Sequence, residues 1–167
     1  MSAYIIQAER IIDDFIKAVD EVFSQMAAVT IQVEDVEEID GQTDCMDVTT
    51  CMDITGILGF SGGRRGSILV TFSEAVALKA VGGMLDMEFN DINADVRDGV
   101  GEIVNIIAGT AKTRLQPKGI SFDLSIPNTI IGFNHQITAP ASTSRTRVRF
   151  TTIYGNFFLE VNLKEDK

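Results

Sequence analysis

The chain has 167 residues, is 45% hydrophobic and carries a formal net charge of −10 at pH 7. That size and apolar content suit one domain over residues 1–167 with a sizeable core. The charge argues against nucleic acid or an anionic membrane as the main partner, and no apolar run reaches the ~18–20 residues of a bilayer span, so a cytoplasmic protein is expected.

In residues 4–27 the apolar positions Ile5, Ala8, Ile12, Phe15, Val19, Val22 and Met26 follow 3-4-3-4 spacing. This predicts an amphipathic helix with Asp13, Asp14, Lys17, Asp20 and Glu21 on its wet face. Ile31 and Val33 alternate with polar neighbours in a predicted strand over 30–36, and the acidic, Gly41-containing stretch 37–45 reads as a loop. Met52, Ile54, Leu58 and Phe60 share one face of a period-two pattern that breaks at Gly56. Ile68, Val70 and Phe72 repeat it after Ser61-Gly-Gly-Arg-Arg-Gly66, which predicts a β-hairpin. A phosphate-cradling role for that turn fails, because no helix starts directly after it and the GxxxxGK[ST] spacing is absent.

Ser73 is a natural N-cap for a short helix through about residue 85, with Glu74 in its first turn and Gly82-Gly83 weakening its end. After an acidic connection over 86–93, Asp91 or Asn93 can cap the longest helix, which runs to about residue 116 before Pro117 and Gly119 stop it. Phe122, Leu124 and Ile126 alternate in a strand that Pro127 ends or bends, and residues 129–133 make another. Residues 134–144, with Pro140 and several Ser/Thr residues, read as an exposed loop or β-turn. Val148 and Phe150 begin a last hairpin that turns at Tyr154-Gly-Asn156 and returns through Phe157, Leu159 and Val161. The tail 164–167 is expected to fray. Helix, three strands, short helix, long helix, four strands: the order predicts an α+β fold, a largely antiparallel sheet packed by helices on one face. Its two halves, each a helix followed by strands, suggest an internal duplication.

Little here supports the common catalytic chemistries. Cys45 and Cys51 sit in a Cys-Met-Asp near-repeat that is neither a CxxC pair nor a zinc knuckle, and His135 is the single histidine. The two cysteines are read as ordinary free thiols, with no metal and no cofactor site. A Cys–His dyad is formally available. Asp47 and Asp53 recur with the repeat, as paired carboxylates or as a polar strand edge. Arg145, Arg147 and Arg149 alternate on one strand and are read as a solvated face countering nearby acids.

The long helix is different. At about 100° per residue, Asp98, Glu102 and Asn105 fall within roughly 60° of one another, opposite Val96, Val100, Ile103, Val104, Ile107 and Ala111. Gly99, Gly101 and Gly109 each forgo about 1 kcal/mol against Ala, and Asn105 is a poor mid-helix residue. Such glycines would leave a smooth surface that another backbone can approach closely. Asn105 has a carboxamide that can both accept and donate, so it can orient a water; Glu102 has a carboxylate that can hold a partner's ammonium. Together they can complete a hydrolytic centre whose other parts lie in a second protein, and phosphoryl transfer suits such a division.

Asp98-xxx-Glu102-xx-Asn105, then Ile-Ile-Ala-Gly-xx-Lys112 and Phe122-x-Leu-Ser-Ile-Pro127-Asn-Thr-Ile, resembles the CheX branch of the CheC/CheX/FliY chemotaxis phosphatases. The first helix, ending Glu21-Val-Phe-Ser-Gln-Met26, the glycine hairpin and the terminal hairpin fit as well. The resemblance implies a CheC-like fold and hydrolysis of the aspartyl phosphate on a CheY-type response regulator. It implies that Glu102 pairs with the regulator's active-site lysine, that Asn105 orients the attacking water, and that Asp98 adds a contact at the docking surface. The Mg²⁺ would belong to the regulator, and the chain would form a homodimer. Because the corresponding segment of the first helix ends in Ser24, one site per chain is expected. The alternative is a non-catalytic module of the same fold, docking on a receiver domain or a flagellar switch component.

Overall fold

The computed structural model describes residues 3–39, 52–133, 135, 137 and 142–164, with side chains described from residue 11 onward. Cys45, Cys51, Asp47 and most of the 134–144 loop lie outside them. The elements are α1 (Ala3–Val22, continued by a π-helical turn Phe23–Ala27), β1 (Gln32–Glu38), β2 (Ile54–Ser61) and β3 (Gly66–Phe72). Then come α2 (Glu74–Leu85), α3 (Ala94–Leu115, followed by a 3₁₀ turn Gln116–Lys118), β4 (Asp123–Leu124), β5 (Asn128–Ile131), β6 (Thr143–Thr152) and β7 (Gly155–Lys164). The seven strands form one sheet in the order β1-β6-β7-β3-β2, with β4 and β5 both paired to the far edge of β2. Every pairing is antiparallel. The expected α+β architecture is therefore present, and the element order is the one the sequence predicts.

The helices cover one face. Phe15, Phe23, Phe72, Phe150 and Phe157 are fully buried there. Phe157 stacks between Phe23, at 4.6 Å, and Phe150, at 4.8 Å, so the π-helical end of α1 is tied to the middle of the sheet. From α3, Val96, Val100, Ile103, Val104, Ile107, Ala108, Ala111 and Leu115 are all fully buried. The break in the β2 pattern at Gly56 has its cause here: a Cβ on Gly56 would lie 2.4 Å from Val104 Cγ2 and 3.3 Å from Val100 O. Glycine lets α3 lie directly on β2, which fixes the helix's height and rotation.

Local sequence explains where the helices start. Ser73 Oγ accepts from Val76 N–H, and Asp53 Oδ2 accepts from Glu74 N–H at 2.8 Å, so the N-terminus of α2 is capped twice. Asp53 is thus a structural cap. Asn93, of the two candidates, caps α3: its Oδ1 accepts from Val96 N–H at 3.0 Å. Asp95 in the first turn and Lys112 and Arg114 in the last complement the helix dipole.

Several expectations need correction. The strand predicted through Ile126 is only two residues long, and Ile126 is 84% exposed. The next strand stops at Ile131, two residues short of the predicted end. β1 begins two residues late, and its Val33 and Val36 are exposed, with no helix of the described residues over that edge. Arg145, Arg147 and Arg149 are not a solvated face. Arg145 and Arg147 bond Glu160, Arg147 lies 3.7 Å from Glu37, and Arg147 and Arg149 lie over the Phe158 ring. Their side chains are 9%, 15% and 25% exposed, so the arginines counter nearby acids as expected but do so in a largely covered layer.

Candidate functional site

α3 is held between the sheet and its two neighbouring helices, so one narrow side of it remains outward. Asp98 and Glu102 are exposed on that side, and Asn105 beside them is half-buried. Asp98 bonds its neighbour Arg97 at 3.0 Å. Among the described residues, no ion pair or hydrogen bond engages the side chain of Glu102 or Asn105. The two groups thus project from a rigid helix with their donors and acceptors unspent, a suitable state for groups that must meet a ligand.

The glycines around them are another matter. A Cβ on Gly99 would meet Val81 Cγ1 at 2.5 Å, so Gly99 lets α2 pack on α3. Gly101 is buried with Thr129 Oγ1 at 3.4 Å from its Cβ position, so it faces β5. Neither leaves a surface for another molecule, contrary to the expectation. Gly109, one turn beyond Asn105, has nothing within 4 Å of its Cβ position. Of the three, it alone fits close approach by an outside backbone.

The equivalent stretch of α1 is arranged differently. Glu21 accepts from Arg114 Nη2 at 2.6 Å, an ion pair that joins α1 to α3. Ser24 Oγ donates to the Glu21 carbonyl at 3.2 Å. Its carboxylate is committed internally, whereas that of Glu102 is not.

Thr129 escaped sequence reading. Its hydroxyl donates to the Arg97 carbonyl at 3.3 Å and lies against Gly101, so β5 borders the Glu102–Asn105 side of α3. The only sequence signal was the Pro-Asn-Thr stretch at the start of β5, whose neighbour on α3 no local pattern reveals. Lys112 reaches Asp123 at 3.6 Å, placing β4 beside the later half of the helix.

The other candidate groups do not converge. His135 contacts Thr55 Oγ1 through Nε2 at 2.7 Å and the Gly132 carbonyl through Nδ1 at 2.6 Å, so both ring nitrogens serve the fold. With Nδ1–H donating to the carbonyl, Nε2 is left to pair with the Thr55 hydroxyl, which also meets Thr71 Oγ1 at 2.9 Å. Both cysteines of the possible dyad lie outside the described residues. Among those residues, no three His, Cys, Asp or Glu gather in a metal-binding group, and no helix is long and apolar enough to cross a membrane.

Comparison with known proteins identifies the family. Residues 54–151, more than half of the chain, match the family described as Chemotaxis phosphatase CheX. The CheY-P phosphatase CheX of Thermotoga maritima is 32% identical over 77 residues; the match covers 46% of this chain and half of that relative's length. Chemotaxis protein CheX from Vibrio vulnificus superposes with a TM-score of 0.82 at 29% identity, over 93% of this chain and 99% of that one. A chain of the CheX–CheY–BeF₃–Mg²⁺ complex from Borrelia burgdorferi shares the fold, with a TM-score of 0.73 at 24% identity over 92% and 97% of the two chains. The matched segment contains the hairpin that seats α3, all of α3 and the strands beside it, and on this ground the chain belongs to the chemotaxis phosphatase CheX family.

Proposed function

We propose that the chain hydrolyses the aspartyl phosphate of a CheY-type response regulator in the cytoplasm. The observation that carries this reading is the pair Glu102 and Asn105, one turn apart on a helix fixed on both sides, with neither side chain engaged by a described residue. Docking brings α3 against the phosphorylated pocket. The Glu102 carboxylate pairs with the pocket's lysine and sets the register of the complex. The Asn105 carboxamide fixes a water in line with the phosphorus–aspartate bond. The water oxygen bonds to phosphorus, the aspartyl oxygen leaves with the bonding pair, and the water's proton passes to solvent or phosphate. Inorganic phosphate and a free aspartate result.

Positioning accounts for most of the chemistry in such a transfer, so a chain without a nucleophile can still catalyse it. Mg²⁺, where the reaction needs it, comes with the regulator. Asp98, held by Arg97, contributes a contact at the edge of the docking surface. The internal pairing of Glu21 with Arg114 supports one site per chain. The reading includes a homodimer in which the partner subunit supplies the second site; β1, exposed along all seven residues and at the sheet edge among the described residues, is the strand offered for it.

The test is phosphate release from a phosphorylated receiver domain with the chain at substoichiometric amount. Glu102→Ala is expected to weaken binding roughly tenfold or more, because the regulator's lysine then loses its partner in a desolvated interface. Titration of a receiver carrying beryllofluoride measures that loss. Unchanged affinity would remove Glu102 from the anchoring role.

A further inference from the structure

The β4–β5 edge carries three large apolar side chains in the open: Ile126, 84% exposed, Ile131, 51%, and Phe133, 78%. Isolated exposed apolar residues need no account, but these three follow one edge of the sheet and their backbone is pinned. Ser125, before Ile126, is bonded twice to Gly59: its N–H donates to the Gly59 carbonyl at 2.8 Å, and its Oγ accepts from Gly59 N–H at 2.9 Å. Gly132, between Ile131 and Phe133, donates to the Asp53 carbonyl at 3.0 Å and accepts from His135 Nδ1 at 2.6 Å. His135 is anchored in turn on fully buried Thr55. The apolar groups are therefore held outward by built contacts, with little ordering left to pay for on binding.

From these positions we infer that Ile126, Ile131 and Phe133 form the apolar docking surface for the receiver domain whose phosphate Asn105 serves. The inference rests on the proposed phosphatase reading and extends it to the partner's footprint. Thr129 touches both the Arg97 carbonyl and the Gly101 position, so β5 adjoins the turn that carries Glu102. From that contact Asn105 lies about 6 Å towards the end of α3 and Ile131, on the same strand face as Thr129, about 7 Å the other way, since β5 runs antiparallel to β2 and α3 follows β2. An ordinary interface of about 800 Å² per partner reaches roughly 16 Å from its centre. A receiver centred on Asn105 is large enough to extend onto part of this edge. Charge-depleted apolar anchors beside a polar reactive pair match the usual composition of an interface core. A bare apolar strand edge is also an association hazard, which its four-residue length limits.

The experiment compares the full chain with the triple variant Ile126→Ser/Ile131→Ser/Phe133→Ser, which leaves charge unchanged. Ile153→Ser, at an equally exposed position in the β6–β7 turn, is the control. The triple variant is expected to raise the Kd for a beryllofluoride-loaded CheY-type receiver at least about tenfold, with kcat at saturating phosphorylated receiver kept within about twofold. The control leaves both unchanged. An unchanged Kd overturns the inference. So does a change in sedimentation mass with unchanged receiver affinity, which assigns the edge to a second copy of the chain. A raised Kd together with full turnover by Asn105→Ala would keep this docking surface while removing the phosphatase mechanism.

Discussion

Asn105→Ala is expected to abolish turnover of a phosphorylated receiver, lowering kcat by about 10²-fold or more while binding is largely kept. The size follows from the role: an interaction made only as the water attacks contributes to kcat, and losing a single preorganised polar group of this kind costs roughly 10²–10³-fold. Binding is spared because the Glu102 carboxylate and the apolar edge remain. The fold is spared as well, since no described residue hydrogen-bonds the Asn105 side chain. Parallel measurement of kcat, of Kd for the beryllofluoride-loaded receiver and of Tm separates the three quantities. A rise in Kd with kcat retained would make Asn105 a contact residue instead.

Gly83→Ala is expected to destabilise the protein by about 3 kcal/mol, although helix propensity alone favours alanine there by about 1 kcal/mol. Gly83 lies in the last turns of α2, and a Cβ on it would stand 1.8 Å from the Ala27 carbonyl oxygen and 2.6 Å from the carbonyl carbon. Both are backbone atoms at the π-helical end of α1, which Phe23 fastens to the sheet through Phe157, so neither element yields cheaply. For a chain of this size the loss corresponds to a fall in Tm of roughly 6–12 °C. Gly109→Ala provides the contrast. Nothing lies within 4 Å of its Cβ position, and a gain of about 1 kcal/mol, or roughly 2–4 °C, is expected. Thermal denaturation of both variants checks the assignment; equal shifts would contradict it.

Periodicity made α1, α3 and both hairpins legible, because each buries one face and its apolar spacing records that face. Side-by-side placement of Glu102 and Asn105 was legible for the same reason, since a helix brings positions three apart together. What spacing could not convey was who stands opposite. Gly56, Gly83, Gly99 and Gly101 look alike in sequence, yet they face Val104, Ala27, Val81 and Thr129, neighbours set by the tertiary fold. Gly99 and Gly101 therefore face inward, and of the α3 glycines only Gly109 has open space at its Cβ position. Ile126 failed similarly: its alternation with Phe122 and Leu124 suggested a core strand, but the chain leaves β2 at Ser125 and turns it outward. The arginines of β6 read as wet because Glu34, Glu37 and Glu160 reach them from two other strands. That Glu21 is tied down while Glu102 is not depends on Arg114, distant in sequence and adjacent in space.

The measurement that bears most directly on the central claim is the time course of phosphate release from a phosphorylated CheY-type receiver with a trace of this chain. Wild type should give many turnovers above the receiver's own rate, before and after alkylation of its thiols, and Asn105→Ala should return the course to that of the receiver alone. Full activity in Asn105→Ala, or loss of wild-type activity on alkylation, would contradict the account.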